Sequence, residues 1–279
     1  MGRVEDINDS AVTEQWVDGS INGKVTDITI GYLLANIFGI VTPALHASET
    51  IVYDNTFTVA SSTLPPSLTI ARTNPVRSRR FALGTLTDLE VDIKQNDWVQ
   101  VTATVTAKSG AISTETVAFT AENEFTSKHV TIKTATNIAG LVGATPLQVK
   151  SLKLKISRKT ERFTPVGGID PVSFDPNAWS VTGTVVTRYT DTTLEDIAFA
   201  NTAQALSVAI VNSDVTVGTA AHPGLTFTAP QIRFDPQTLD NKLDQTLSST
   251  YNFHCELSTT AGYMLQAVLT NTQNGYAHA

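Results

Sequence analysis

The chain has 279 residues, 41% hydrophobic and only 16% charged, with a formal net charge of −7. That length supports one large core or two ordinary ones without staples, and low charge with abundant Thr, Val, Ala and Ser points to sheets rather than to helical bundles or disordered tails. The negative balance disfavours a nucleic-acid wrapper, which needs a Lys/Arg footprint, and a single cysteine, Cys255, excludes an intramolecular disulfide or a cysteine-based zinc site.

Residues 1–15 are polar, acidic and unpatterned, which predicts an arm that is loose in the isolated chain. The first nine residues hold three acids and no apolar run, so no signal peptide is expected. Gln15 to Val25 fits a first strand. Asp27 then stands where a helix N-cap would, ahead of Ile30, Leu33, Leu34, Ile37, Phe38 and Val41. Their i, i+3, i+4 spacing marks one apolar stripe, with Gly39 placed to help close the helix. A core helix lying against a sheet is the expectation; the run Ile30 to Val41 is too short to span a bilayer and contains Asn36, so no membrane anchor is expected. The absence of a leader and of a span predicts a soluble protein kept in a cytoplasm-like environment.

Glu49 to Val59 and Ser67 to Ala71 read as strands, separated by the turn-like SSTLPP. Arg77, Arg79 and Arg80 sit in a loop beside Pro75 and suit a solvated face or a contact to an acidic neighbour, with phosphate binding the less favoured alternative. The clearest alternation follows in Asp88 to Ile93: Leu89, Val91 and Ile93 face a core while Asp88, Glu90 and Asp92 line the other side. Three carboxylates on one strand face repel one another, so the strand needs basic neighbours, a cation or open water. Trp98 to Lys108 and Thr116 to Phe119 continue the sheet. Ala135 to Pro146, small and Gly-rich, fits a short helix or a linker. Leu152 to Ile156 alternates again, with Lys153 and Lys155 outward, and a sheet continuing between copies of the protein could pair that basic face with the acidic one.

Arg158 to Ala178 carries prolines and glycines together with Phe163, Val166, Ile169 and Phe174, side chains that water does not favour. A loop of this length without secondary structure is unusual inside a compact domain, and it is expected to be an assembly loop that orders against a neighbour. Leu194 to Phe199, Ala205 to Val211, Leu225 to Phe234, Tyr251 to Leu257 and Met264 to Thr270 read as short strands.

An internal echo organises the whole. Ser180, Gly183 and Val185 repeat the S-x-x-G-x-V frame of Ser20, Gly23 and Val25 at an offset of 160 residues, and Pro223 to Phe227 repeats Pro66 to Ile70 at 157. Two units follow, residues 1–140 and 141–279, each a β domain.

No catalytic constellation emerges. Gly19 to Lys24 has three residues between its glycines where a phosphate loop needs four, and Val25 replaces the required hydroxyl residue. His46, His129, His222, His254 and His278 are scattered without metal-ligand spacing, and there is no nucleophile elbow or dinucleotide fingerprint. Paired carboxylates could still be assembled by the fold, but glycosidase clefts are rich in aromatics and only 7% of this chain is aromatic. The chain is read as a non-enzyme without cofactor or metal.

Residues across most of the chain resemble the major tail tube proteins of long-tailed bacteriophages. The likeness rests on Trp16 to Gly39 (W-x-x-G-S…G-x-V-x-D…IGYLL…FG), PSLTIAR at Pro66 to Arg72, TPLQVKSLKLKI at Thr145 to Ile156, Asn212 to Leu225, and AVLTNTQ at Ala267 to Gln273. The resemblance implies tandem β-sandwich or barrel domains, each with a short flanking helix, that join edge to edge into rings and stack into a tube conducting DNA during ejection. Six-subunit rings in single-domain relatives imply three-chain pseudo-sixfold rings for a duplicated chain, six-chain rings being the alternative. It also implies a virion protein assembled in the host cytoplasm, with tape-measure, terminator and baseplate partners. In that setting Asp88, Glu90 and Asp92 become candidate lumen lining, since acidic walls repel a passing polyanion. A two-module β-sandwich adhesin or carbohydrate-binding protein is the competing reading; it would expose an aromatic platform, whereas Trp16, Trp98 and Trp179 all stand at strand starts.

Overall fold

A computed structural model describes residues 10–59, 64–116, 118–240 and 246–276. It is mainly β, 52% strand and 9% helical, a large antiparallel sheet with two short helices. In chain order the elements are β1 (Trp16–Lys24), α1 (Thr29–Phe38), β2 (Gly39–Leu45), β3 (Tyr53–Val59), β4 (Leu68–Arg72), β5 (Arg79–Lys94), β6 (Gln100–Lys108), β7 (Ala111–Ile112) and β8 (Val130–Ala135). Then come β9 (Val149–Phe163), β10 (Ser173–Arg188), α2 (Thr193–Phe199), β11 (Gln204–Val211), β12 (Gly224–Phe234), β13 (Thr238–Asp240), β14 (Ser248–Cys255) and β15 (Gln266–Asn271).

The sheet folds over on itself in two wings. One runs β1-β6-β5-β9-β10-β14, the other β8-β11-β12-β15-β3-β2. Strand β12 belongs to both: Gly224 to Thr228 pairs with β15, and Ile232 to Phe234 pairs with β14. The inward faces, among them Leu89, Val91, Leu154, Ile156 and Val181 from the first wing and Phe57, Val208, Ile210, Phe227 and Leu269 from the second, form one hydrophobic cluster. Period-two alternation explains why each strand gives this core every second side chain.

Three ladders join strands from opposite sides of residue 140: β5 with β9, β8 with β11, and β15 with β3. The last two are reciprocal, since the final strand of the first half pairs with the hairpin that follows α2, and the final strand of the second half with the hairpin that follows α1. The order strand, helix, hairpin occurs twice, as β1-α1-β2-β3 and as β10-α2-β11-β12. The S-x-x-G-x-V frames fall on β1 and β10, which match in that order. The second echo does not: Leu68 lies on β4, paired with β5, whereas Leu225 lies on β12, whose ordinal counterpart is β3.

Helix α1 is shorter than the stripe suggests, because Gly39 turns the chain at φ 98° and Val41 passes into β2. Ile30, Leu33, Leu34, Ile37 and Phe38 are all buried. Asp27 is no cap: its carboxylate accepts the Asn123 N–H at 2.8 Å and side-chain amide at 2.6 Å. The helix start is satisfied instead by Glu122, which accepts from the Thr29 N–H at 3.0 Å and the Thr29 hydroxyl at 2.6 Å. Buried Asn36 latches the helix to the sheet, accepting the Leu86 N–H at 2.7 Å and donating to the Gly84 carbonyl at 3.2 Å and the Pro66 carbonyl at 2.5 Å. This satisfies an amide that would otherwise be costly to bury.

Several strand expectations change. Leu194 to Phe199 is the helix α2; the overlooked signal is Thr192-x-x-Glu195, a helix-start pattern with acids in the first turn. Residues 116 and 118–120 form no strand, and residues 139–141 make only a 3-10 turn. Parts of the turn at residues 61–63, and residues 1–9 of the expected arm, lie outside the described residues.

Candidate lumen and assembly surfaces

The outward face of the first wing is built from the polar half of each alternation. Asp88, Glu90 and Asp92 stand on β5 directly between β6, which offers Thr104, Thr102 and Gln100, and β9, which offers Ser157, Lys155 and Lys153. The acidic and basic strand faces therefore meet within one chain, not between copies. Lys153 Nζ lies 2.8 Å from Glu90, Lys155 Nζ 3.1 Å from Asp88 and Lys94 Nζ 2.6 Å from Asp92. Ser157 Oγ donates to Asp88 at 2.5 Å. The Glu90 partner, with the nearby Asp92 charge, raises the Lys153 pKa above the ordinary lysine value although partial burial opposes it. The face is thus charge-balanced and rich in hydroxyls, with Thr182 and Thr184 of β10 continuing it beside Lys155 and Lys153. Of the three ways the strand could tolerate its carboxylates, basic neighbours are the one present, supplied by β9 of the same chain rather than by another copy, a pairing of β9 with β5 that strand periodicity cannot reveal.

Arg158 to Ala178 is not a structureless loop. Strands β9 and β10 extend through it as a hairpin, with Phe163 opposite Ser173 and Arg162 opposite Phe174, and a bulge between Pro176 and Trp179. Pro176 is accommodated near that bulge, where a proline is tolerated in a sheet. Phe163, Val166 and Ile169 are exposed at the tip, while Phe174 is buried at 8%. The tip is anchored on the start of β1: Gln15 N–H donates to the Ile169 carbonyl at 2.7 Å, Arg162 Nε donates to Glu14 at 2.7 Å, and the Arg162 guanidinium lies 3.6 Å from the Trp16 ring centroid. The Arg162 guanidinium, first, and then the Thr164 hydroxyl, which donates to Glu14 at 2.6 Å, hold the Glu14 carboxyl below its usual range. Ser109 Oγ adds a bond to Asp170 at 2.6 Å.

At the base of this hairpin Arg158 is buried, donating to the Ile37 carbonyl at the end of α1 at 2.8 Å, where a cation favours the helix dipole. Desolvation lowers its pKa. Trp179, its cross-strand neighbour, packs edge-on against Phe38 with ring centroids 5.4 Å apart. Trp98 carries the Lys24 ammonium 3.8 Å above its ring. Each tryptophan ring thus has a partner within the chain, although Trp16 and Trp98 remain 40% and 41% exposed.

Among the described residues strand β1 is paired only with β6, and its backbone forms the outer edge of the wing. Its inward residues are poorly covered: a groove of about 330 Å³ lies beneath it, lined by Val17, Ile21, Ile70, Phe81 and Val105. A second cavity of about 380 Å³ lies between α2, the end of β10 and Pro146 to Gln148, lined also by Tyr189, Asp191 and Tyr251. Among the described residues no group of three or more His, Cys, Asp or Glu side chains could hold a metal. Cys255 is buried, and burial pushes its thiol up to about 12.

No curated protein matches this chain. The model of the family described as phage tail tube protein matches residues 1–271, nearly the whole chain and all fifteen strands. Together with a mainly β fold, that match identifies a structural component of the virion tail, and the chain belongs to the phage tail tube protein family.

Proposed function

We propose that the chain self-assembles into stacked rings, three chains to a ring, whose lumen conducts DNA during ejection, and that the outward face of the first wing lines that lumen. Residues 1–140 and 141–279 act as two pseudo-equivalent ring positions, a division supported by the recurring strand, helix, hairpin order. The single observation that carries the lining is the paired ladder Asp88–Lys155, Glu90–Lys153 and Asp92–Lys94. DNA gains affinity for a wall when unpaired Lys or Arg displaces its counterions. Here each lysine of the ladder already holds a carboxylate, so a passing phosphate gains little and slides. The exposed edge of β1 continues the wing into a neighbouring chain, since an uncovered edge strand is a template for pairing. The hairpin tip with Phe163, Val166 and Ile169 meets an adjacent ring. Subunits assemble in the host cytoplasm around a tape-measure protein and are bounded by terminator and baseplate proteins.

The test removes the carboxylates and keeps the lysines. Phage carrying Asp88→Asn, Glu90→Gln and Asp92→Asn together should assemble normal tails but eject DNA more slowly, with wild-type rates returning at high salt as the freed cations are screened. Ejection unchanged at every salt concentration would remove these residues from the lumen.

A further inference from the structure

The lumen and edge surfaces leave the β4–β5 arm unexplained. Arg72, Arg77, Arg79 and Arg80 are all exposed there, and Arg72 stands directly opposite Arg79 across the two strands. Like charges in register destabilise a ladder. Arg80 has Glu115 at 2.6 Å and Arg79 donates to the Gly110 carbonyl at 2.9 Å, but the guanidinium groups of Arg72 and Arg77 have no partner among the described residues. The turn between them is built: Asn74 Oδ1 accepts the N–H groups of Val76 at 3.0 Å and Arg77 at 2.7 Å. Four arginines concentrated on one arm of a chain with net charge −7 call for an acidic partner.

The same chain offers one at the other end of the wing. Asp191 and Asp196 are exposed where β10 gives way to α2, and neither makes an ion pair with a described residue. Asp191 accepts the Thr193 N–H at 3.0 Å, Asp196 accepts the Thr192 hydroxyl at 3.1 Å, and half-buried Glu195 accepts the Tyr189 hydroxyl at 2.7 Å. The nearest basic residue of this segment, Arg188, lines the same cavity as Asp191 without pairing with it. The Thr193 N–H, first among several bonds, keeps the Asp191 carboxyl below its usual range, so the charge persists in mildly acidic solution.

Register places the two patches apart. The arm contacts Gly110, just beyond Lys108, which pairs with Trp16 at one end of the wing; Asp191 lies just beyond Arg188, which pairs with Ser248 at the other. From Trp179 to Arg188 a strand covers roughly 30 Å, so one chain does not satisfy its own arm. The geometry points to a contact between copies: the Arg72, Arg77 and Arg79 arm of one subunit docks on Asp191 and Asp196 of the next. Two different patches meeting in this way make a heterologous contact, which repeats without limit along a filament. The inference rests on the stacked-tube reading and supplies it with a polarity.

A charge swap tests it. Purified R72E/R77E/R79E and D191K/D196K proteins should each stay folded as monomers, with the melting temperature of the second lowered by no more than a few degrees through the lost helix-start bonds, but form tubes with a critical concentration raised more than about tenfold, as lost interfacial ion pairs produce. The protein carrying all five changes should return toward the wild-type value. Tubes at the wild-type concentration from either single set, or failure of the combined protein to recover, would overturn the pairing while leaving tube formation intact. A wild-type protein that makes no tubes would overturn the underlying reading as well. If instead the arginine variant assembles normally but loses retention on heparin that the wild type shows, the arm serves a polyanion and the proposed contact is wrong.

Discussion

Strands β1 and β10 carry the same S-x-x-G-x-V frame and precede the two helices, yet they have opposite surroundings. Strand β10 is flanked by β9 and β14, and a side chain at Gly183 would meet the Phe253 ring at 2.2 Å and the Lys153 carbonyl at 2.7 Å. Strand β1 has a partner on one edge only, and a side chain at Gly23 would meet nothing within 4 Å. One glycine is required by close approach; the other stands on an open edge available to another chain. A shared local pattern therefore specifies the kind of element, and the neighbours decide what each residue does.

Breaking that symmetry gives the largest expected effect. Gly183→Val should destabilise the monomer by about 3 kcal/mol, because an overpacked site between two strands has no room to relax, while Gly23→Val should leave it unchanged or more stable by up to about 1 kcal/mol. Denaturant unfolding of the two variants decides this, and equal losses would contradict the assigned environments. If β1 pairs with a neighbour in the tube, Gly23→Val should still alter assembly, which light scattering would detect.

The helices sharpen the same contrast. Helix α1 is enclosed and held by Asn36, so Asn36→Ala, which strands the Leu86 N–H and two carbonyls, should cost roughly 2–3 kcal/mol. Helix α2 lies at the surface, and Asp191→Ala should cost no more than about 1 kcal/mol.

Much of this was legible and some was not. Stripe spacing located the buried residues of α1, and period-two alternation sorted Leu89, Val91 and Ile93 from Asp88, Glu90 and Asp92. Pairing across residue 140 was not legible, because periodicity gives a strand its faces but not its neighbours. For the same reason the sequence offers a pairing of the lysine and carboxylate faces between copies, where the structure makes it within one chain. The extended hairpin at Phe163 to Ser173 was hidden by its prolines and glycines, which read as loop although a bulge admits them.

The clasp between the halves has a pH signature. Glu49, from the β2–β3 loop, accepts the N–H groups of Thr219, Ala220 and Ala221 at 2.8, 2.7 and 3.1 Å. These bonds, Thr219 first, lower its pKa below the ordinary 4.5 despite desolvation. A carboxylate depressed on folding stabilises fully above its unfolded pKa and loses that contribution as pH falls through the folded value. Wild-type stability should therefore decline below about pH 4.5, and Glu49→Gln should be less stable at neutral pH with a shallower acid decline. An identical acid profile in the variant would show that the clasp contributes nothing.

The smallest effect belongs to the ladder. Lys153→Gln should lower monomer stability by less than about 1 kcal/mol at low salt and by nothing measurable in high salt, since the pair is solvent-exposed. A larger loss would assign the ladder to folding rather than to the lumen.

Electron cryomicroscopy of tubes grown from the purified protein tests the central claim most directly. The account predicts rings of three chains with the Asp88–Lys155 and Glu90–Lys153 pairs facing the lumen and β1 hydrogen-bonded to the adjacent chain. Tubes whose lumen is lined by the wing containing β11, β12 and β15, or a β1 edge left open to solvent in the assembled ring, would contradict it.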